Sequence, residues 1–180
     1  MLINKTMKNI QIIQAQEQFI CNLTKHCTHT LTLQTKLKTY NAGPIKIQEQ
    51  REKAIQAFRS FRPKLNRLLT GNGHIRKLHL VPIIIPAIEG TLNTYDRNRT
   101  LHYHLALGNF DTTRLDLNFV EKLIEDWTAT GVGTDDIKMF ATITGREQGW
   151  GSYINKEYAR GNDQKWPRKF EQFFRWKLWA

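Results

Sequence analysis

The chain is poor in cysteine, short of acidic residues and without a long apolar run, and each shortage removes a class of protein. Two cysteines, Cys21 and Cys27, in 180 residues cannot build a disulfide scaffold. They cluster with His26 and His29, but the spacing matches no common zinc knuckle. The longest apolar run, Val81–Ile88, is far below the ~20 residues needed to cross a bilayer. Lys5 and Lys8 near the start are followed by no apolar h-region, so no signal peptide is expected and the expected compartment is cytoplasmic. No G-x-x-x-x-G-K-[ST] is present, which excludes a P-loop motor within these residues. Neither an internal repeat nor a low-complexity tract stands out.

What is abundant is positive charge. Lysine and arginine number 27 against 16 aspartate and glutamate, a net charge of +11. Such a balance suits a polyanionic partner, and it also suits a merely solvated basic surface. The length is that of one domain, large enough to bury roughly 70% of its unfolded surface.

Hydropathy patterns divide the chain into alternating elements. Residues 1–27 read as a glutamine-rich helix or a flexible basic arm, and 28–36 (T-H-T-L-T-L-Q-T-K) as a strand with threonines on one face. Gln48–Arg62 has helical spacing at Ala54, Ile55, Phe58 and Phe61, and Pro63 is expected to end or kink it. Arg76–Glu89 and Thr100–Leu107 read as strands. Leu117–Thr128 reads as a helix with Val120, Leu123, Ile124 and Trp127 inward, and Asp136–Thr144 as a further strand. Glu147–Tyr158 reads as a helix starting nearer Ser152, because Gly149 and Gly151 each cost about 1 kcal/mol in a helix interior. The tail 161–180 interleaves bases with aromatics, and its helical spacing favours packing on the core over nucleobase stacking. The fold class is α+β: a mainly antiparallel sheet of four or five strands with helices packed on it.

The candidate chemistry begins at Thr100–Gly108, T-L-H-Y-H-L-A-L-G. In a strand, successive side chains alternate between faces. His102, His104 and Ala106 then share one face, while Leu101, Tyr103, Leu105 and Leu107 share the other, which reads as core. Two imidazoles side by side can bind one ion. If Leu78–Glu89 pairs with this strand as a hairpin, Glu89 returns beside His102 and completes a Glu–His–His set. Taken alone, H-x-H also fits an ordinary sheet. Downstream, Tyr153 and Lys156 in S-Y-I-N-K-E are three residues apart and share a helical face. A phenol near pKa 10 needs a neighbouring cation or metal to act as a nucleophile. A tyrosine packed on the core beside a solvated lysine fits the same spacing.

In order, a T-L-T-L strand, a helix, E-G, H-Y-H-L-A-L and S-Y-I-N-K-E resemble the HUH endonuclease domain of single-tyrosine rolling-circle replication initiators. The resemblance spans about 28–160. It implies a ferredoxin- or RRM-like core with a metal site on an open sheet face. Two nitrogens and a carboxylate on Glu89, His102 and His104 suit Mn²⁺ or Mg²⁺, and zinc fits the same ligands; the resemblance further implies Tyr153 as the nucleophile forming a 5′-phosphotyrosine and Lys156 as its helper. The implied substrate is single-stranded DNA or an origin hairpin, with a separate host helicase as a further partner. Arg97, Arg99, Lys165, Arg168 and Lys169 are the candidate phosphate contacts. The Glu-to-His connection is longer than in viral members, and Pro82 and Pro86 point to an edge or a shortened strand. Conjugative relaxases place their tyrosine before a three-histidine motif, an order this chain lacks. Tyr158 lies about 500° of helical rotation from Tyr153, off its face. Transposition with the same chemistry, and a non-catalytic nucleic-acid module with structural histidines, are the competing expectations.

One measurement tests the electrostatic side of this reading. Affinity for single-stranded DNA should fall steeply between low and physiological salt, since each bound phosphate releases counterions. Fluorescence anisotropy titrations across that range check it, and a flat affinity contradicts it.

Overall fold

The computed structural model describes residues 18–72, 78–91 and 97–141. Residues 18–24 are helical (α1). The chain then runs β1 (Cys27–Lys38), α2 (Pro44–Thr70), β2 (Ile83–Glu89), β3 (Thr100–Gly108), α3 (Leu117–Thr128) and β4 (Gly133–Ala141). The four strands form one sheet in the order β2-β3-β1-β4, and every neighbouring pair is antiparallel. From β1 onward this is a β-α-β-β-α-β unit, the split arrangement of ferredoxin-like folds. The expected α+β class and antiparallel sheet are therefore present.

Alternation decides the faces. Leu31 and Leu33 of β1 lie opposite Leu105 and Tyr103 of β3, and all four are buried in the main core. The intervening Thr30, Thr32 and Gln34 point the other way and stay partly exposed. Onto the core face pack Phe58, Phe61, Leu65 and Leu69 of α2 and Phe119, Leu123 and Trp127 of α3. Phe61 and Tyr103 both meet the Trp127 ring edge-on, at centroid distances of 5.1 and 6.1 Å. The indole N–H of Trp127 donates to the Gln34 carbonyl at 2.8 Å, where the pairing of β1 with β4 shifts register between Leu33 and Thr35. On the opposite face a smaller cluster joins Ile20 of α1 to Cys27, Ile85, Ala87 and Ala106.

Several boundaries differ from those read off the sequence. Helix α2 does not stop at Pro63 but continues to Thr70. A proline inside a helix costs about 3 kcal/mol through a lost N–H and a crowded carbonyl. Leu65 and Leu69 extend the core stripe and are fully buried, and two such side chains return about 3–6 kcal/mol, enough to carry the helix through. In α3 the buried residues are Phe119, Leu123 and Trp127, whereas Val120 is 43% exposed. Leu123 and Trp127 face inward as expected, Phe119 takes the place expected of Val120, and the buried residues form an i, i+4, i+8 row. Strand β2 begins only at Ile83, after a 3₁₀ turn at Leu78–Leu80 and Pro82. It carries Pro86 at a sheet edge, where a missing donor is tolerated. Strand β4 starts at Gly133, three residues before the expected Asp136, because β1 still reaches it through the pair Thr35–Gly133.

The β2–β3 connection is held from below by the end of β1. Thr39 donates through Oγ1 to the Gly90 carbonyl at 2.8 Å, and its N–H donates to the Arg99 carbonyl at 3.1 Å. Gly90 turns the chain at φ +101°, and a Cβ there would lie 2.3 Å from the Thr100 carbonyl oxygen. Both the left-handed conformation and the contact with fixed backbone exclude a side chain. Gly90→Ala should therefore destabilise the protein by about 2–4 kcal/mol, read as a lowered urea midpoint with the slope unchanged.

Candidate metal centre

Pairing of β2 with β3 sets Glu89 opposite His102 and Ala87 opposite His104. Since Glu89, His102 and His104 all point away from the main core, the hairpin gathers three donors on one patch. The Glu89 carboxylate Oε2 lies 3.7 Å from His102 Nε2 and 3.6 Å from His104 Nε2. One donor atom from each of the three residues falls within 4.8 Å of the other two. Two donors each about 2.1 Å from one ion stand about 3–3.5 Å apart, so little adjustment separates this arrangement from a coordination sphere. The imidazole planes are nearly perpendicular, at 89°, with centroids 4.9 Å apart. Such an orientation lets both rings aim a nitrogen at a common point.

Electrostatics favour a cation at that point. The Glu89 side chain is only 3% exposed, and the two rings above it are 15% and 12% exposed. A buried carboxylate is costly without a countercharge, and a metal ion shared with the two rings would supply one. His102 Nδ1 lies 3.2 Å from the Thr100 carbonyl. A carbonyl only accepts, so in this contact Nδ1 is the donor and Nε2 is the ring atom turned toward Glu89. His104 Nδ1 lies 3.0 Å from Thr32 Oγ1 on β1. The group can hold a metal ion, and its nitrogen-and-carboxylate chemistry suits a divalent one.

The other sequence candidates fall out differently. Cys21, His26, Cys27 and His29 are not gathered: among the described residues Glu89, His102 and His104 form the only such set of three. His29 instead bonds Thr28 Oγ1 at 3.0 Å and meets Phe110 edge-on at 5.2 Å, and burial lowers its pKa. Cys27 is buried in the smaller cluster, and neither cysteine is in a disulfide. Arg97 is exposed and Arg99 half-buried at the far end of the hairpin connection. Tyr103, between the two histidines, is 4% exposed on the opposite face and stacks on Phe58 at 4.8 Å. Burial pushes its phenol pKa well up, so it is no nucleophile. Tyr153, Lys156, Tyr158, Lys165, Arg168 and Lys169 lie outside the described residues. Sequence reasoning missed Thr32 as a contact of His104. Its place in an alternating strand showed only which face it occupies.

No known protein family, curated protein or solved structure matches the chain. Among the described residues no helix is long and apolar enough to cross a membrane.

The centre is testable without any substrate. His104→Ala and Glu89→Gln should each weaken Mn²⁺ binding at least tenfold in calorimetric titrations, with far-UV circular dichroism preserved. Unchanged binding in both variants would remove the site.

Proposed function

We propose that this protein is a metal-dependent nicking and strand-transfer enzyme acting on single-stranded DNA, with Tyr153 as nucleophile. The observation that carries the reading is the convergence of Glu89, His102 and His104 on one sheet face. The likeness to the HUH motifs and their order along the chain support it, as does the net charge of +11. Glu89, His102 and His104 would hold Mn²⁺ or Mg²⁺. Such an ion, when bound, polarises a phosphate and offsets charge in the transition state.

The remaining steps belong to side chains of this chain. Tyr153 gives up its phenolic proton to water, and its oxygen attacks the scissile phosphorus in line. The bond from phosphorus to the 3′-oxygen breaks, and the departing 3′-oxygen takes a proton back from water. The products are a 5′-phosphotyrosine and a free 3′-OH, and the reverse reaction rejoins the strand. Lys156 would favour the phenolate or steady the phosphate. Arg97, Arg99, Lys165, Arg168 and Lys169 would contact flanking phosphates. The free 3′-OH suits a primer, so the proposed role is initiation of rolling-circle replication of a plasmid or phage in the cytoplasm. A host helicase would then unwind the template.

Tyr153→Phe removes one oxygen and should abolish both cleavage and the covalent adduct on a denaturing gel, with Mn²⁺ and DNA affinity retained. Tyr158→Phe should keep most activity. Peptide mapping of the adduct to Tyr158 or Tyr103, or full cleavage in excess EDTA, would overturn the proposal.

A further inference from the structure

Strand β1 supplies no metal donor, yet it reaches the centre. Thr32 lies opposite His104 across the β1–β3 ladder, and its Oγ1 is 3.0 Å from His104 Nδ1. The two imidazoles are thus held by different means. Nδ1 of His102 faces a backbone carbonyl of its own strand, a partner that no substitution at that position removes. Nδ1 of His104 faces a side chain from a neighbouring strand. On its other flank His104 lies opposite Ala87 of β2, whose methyl group offers no hydrogen bond. Of the two cross-strand neighbours, Thr32 alone can fix the ring.

Resting on the reading of Glu89, His102 and His104 as a metal centre, we propose that Thr32 is a positioning residue for it. Its hydroxyl accepts the Nδ1–H of His104 and thereby turns the Nε2 lone pair toward Glu89. Neutral imidazole carries its proton on either nitrogen, and only the Nδ1–H form presents Nε2 as a donor atom. An acceptor at Nδ1 selects that form, fixes the ring about its χ angles and strengthens the ligand. Ring rotation that would carry Nε2 away from the 3.6 Å approach to Glu89 breaks this bond. Thr32 itself touches neither metal nor substrate in this scheme. The T-L-T-L pattern thereby gains a chemical role at its second threonine. The first, Thr30, lies opposite Ala106 of β3 and Phe140 of β4, neither of which has a ring nitrogen to hold.

The test uses Thr32→Val, which keeps the β-branched shape and removes the hydroxyl, and Thr32→Ser, which keeps the hydroxyl and removes a methyl. Calorimetric titration of the full chain with Mn²⁺ should show affinity about tenfold weaker in the valine variant. The serine variant should return to within about threefold of the starting protein, with thermal midpoints of all three within a few degrees. In the His104→Ala background Thr32→Val should cause no further loss. In the Mg²⁺-loaded protein, imidazole ¹⁵N–¹H correlation spectra should place the His104 proton on Nδ1, a readout that stands even if the valine variant fails to fold. Wild-type affinity in Thr32→Val, a serine variant as weak as the valine one, or a His104 proton on Nε2 would overturn the assignment. If the starting protein itself binds no Mn²⁺, the metal reading falls and this inference with it. Strong binding that Thr32→Val leaves untouched removes only the role of Thr32.

Discussion

Strand β3 is hydrogen-bonded on both sides, to β2 and to β1, and its register decides at once what is core and what can be ligand. Side chains in a strand alternate strictly, so a slip of one residue would exchange the two faces. With the observed pairing, Leu101, Tyr103, Leu105 and Leu107 enter the main core while His102 and His104 face Glu89. The apolar side drives this choice. Burial of four large side chains outweighs any preference of two imidazoles, at about 1.5–3 kcal/mol for each residue buried. The histidines occupy the other face because the core leaves them no alternative.

The hairpin then converts register into a site. Glu89 ends β2 and His102 lies near the start of β3, so the donors gather where the chain turns back. Gly90 permits the close approach of its backbone to Thr100, and Thr39 fastens both sides of the connection through its hydroxyl and its N–H. Helix α1 contributes Ile20 to a cluster with Ile85, Ala87 and Ala106, while Glu89, His102 and His104 gather nearer the connection. The same sheet face is therefore apolar and packed toward one end and polar toward the other. A buried carboxylate between two imidazoles is costly in isolation. Packing on both faces of the β2–β3 pair is what keeps it there.

Two threonines of β1 show how polar groups are used economically in this fold. Thr35, buried, donates to the Leu101 carbonyl at 2.6 Å and ties β1 to β3 where their ladder is irregular. Thr32, one face over, meets the His104 ring. One anchors backbone, the other a side chain, and both lie on the strand that also joins the hairpin to β4. Distortion of β1 would therefore be felt at the ligands even though β1 provides none.

Much of this was legible from local pattern alone. Period-two alternation identified the face of His102 and His104, the core face of β3, and Glu89 as their partner in a hairpin. Helical spacing located α2 and α3 and the α+β class. Boundaries were not legible, because they turn on competition between distant groups. Pro63 is a local stop signal, yet Leu65 and Leu69 find the sheet and carry α2 past it. On α3, Leu123 and Trp127 face the core as expected, but Phe119 rather than Val120 joins them, since the larger ring buries more apolar surface. Likewise Cys21, His26, Cys27 and His29 are close in sequence but turn to different neighbours. Nothing local distinguishes Thr32 from Thr30. Sequence alone determined which residues share a strand face, because that follows from backbone geometry. Only the tertiary structure decided which strands stand side by side, and so which hydroxyl meets which imidazole, because that depends on burying the whole core at once.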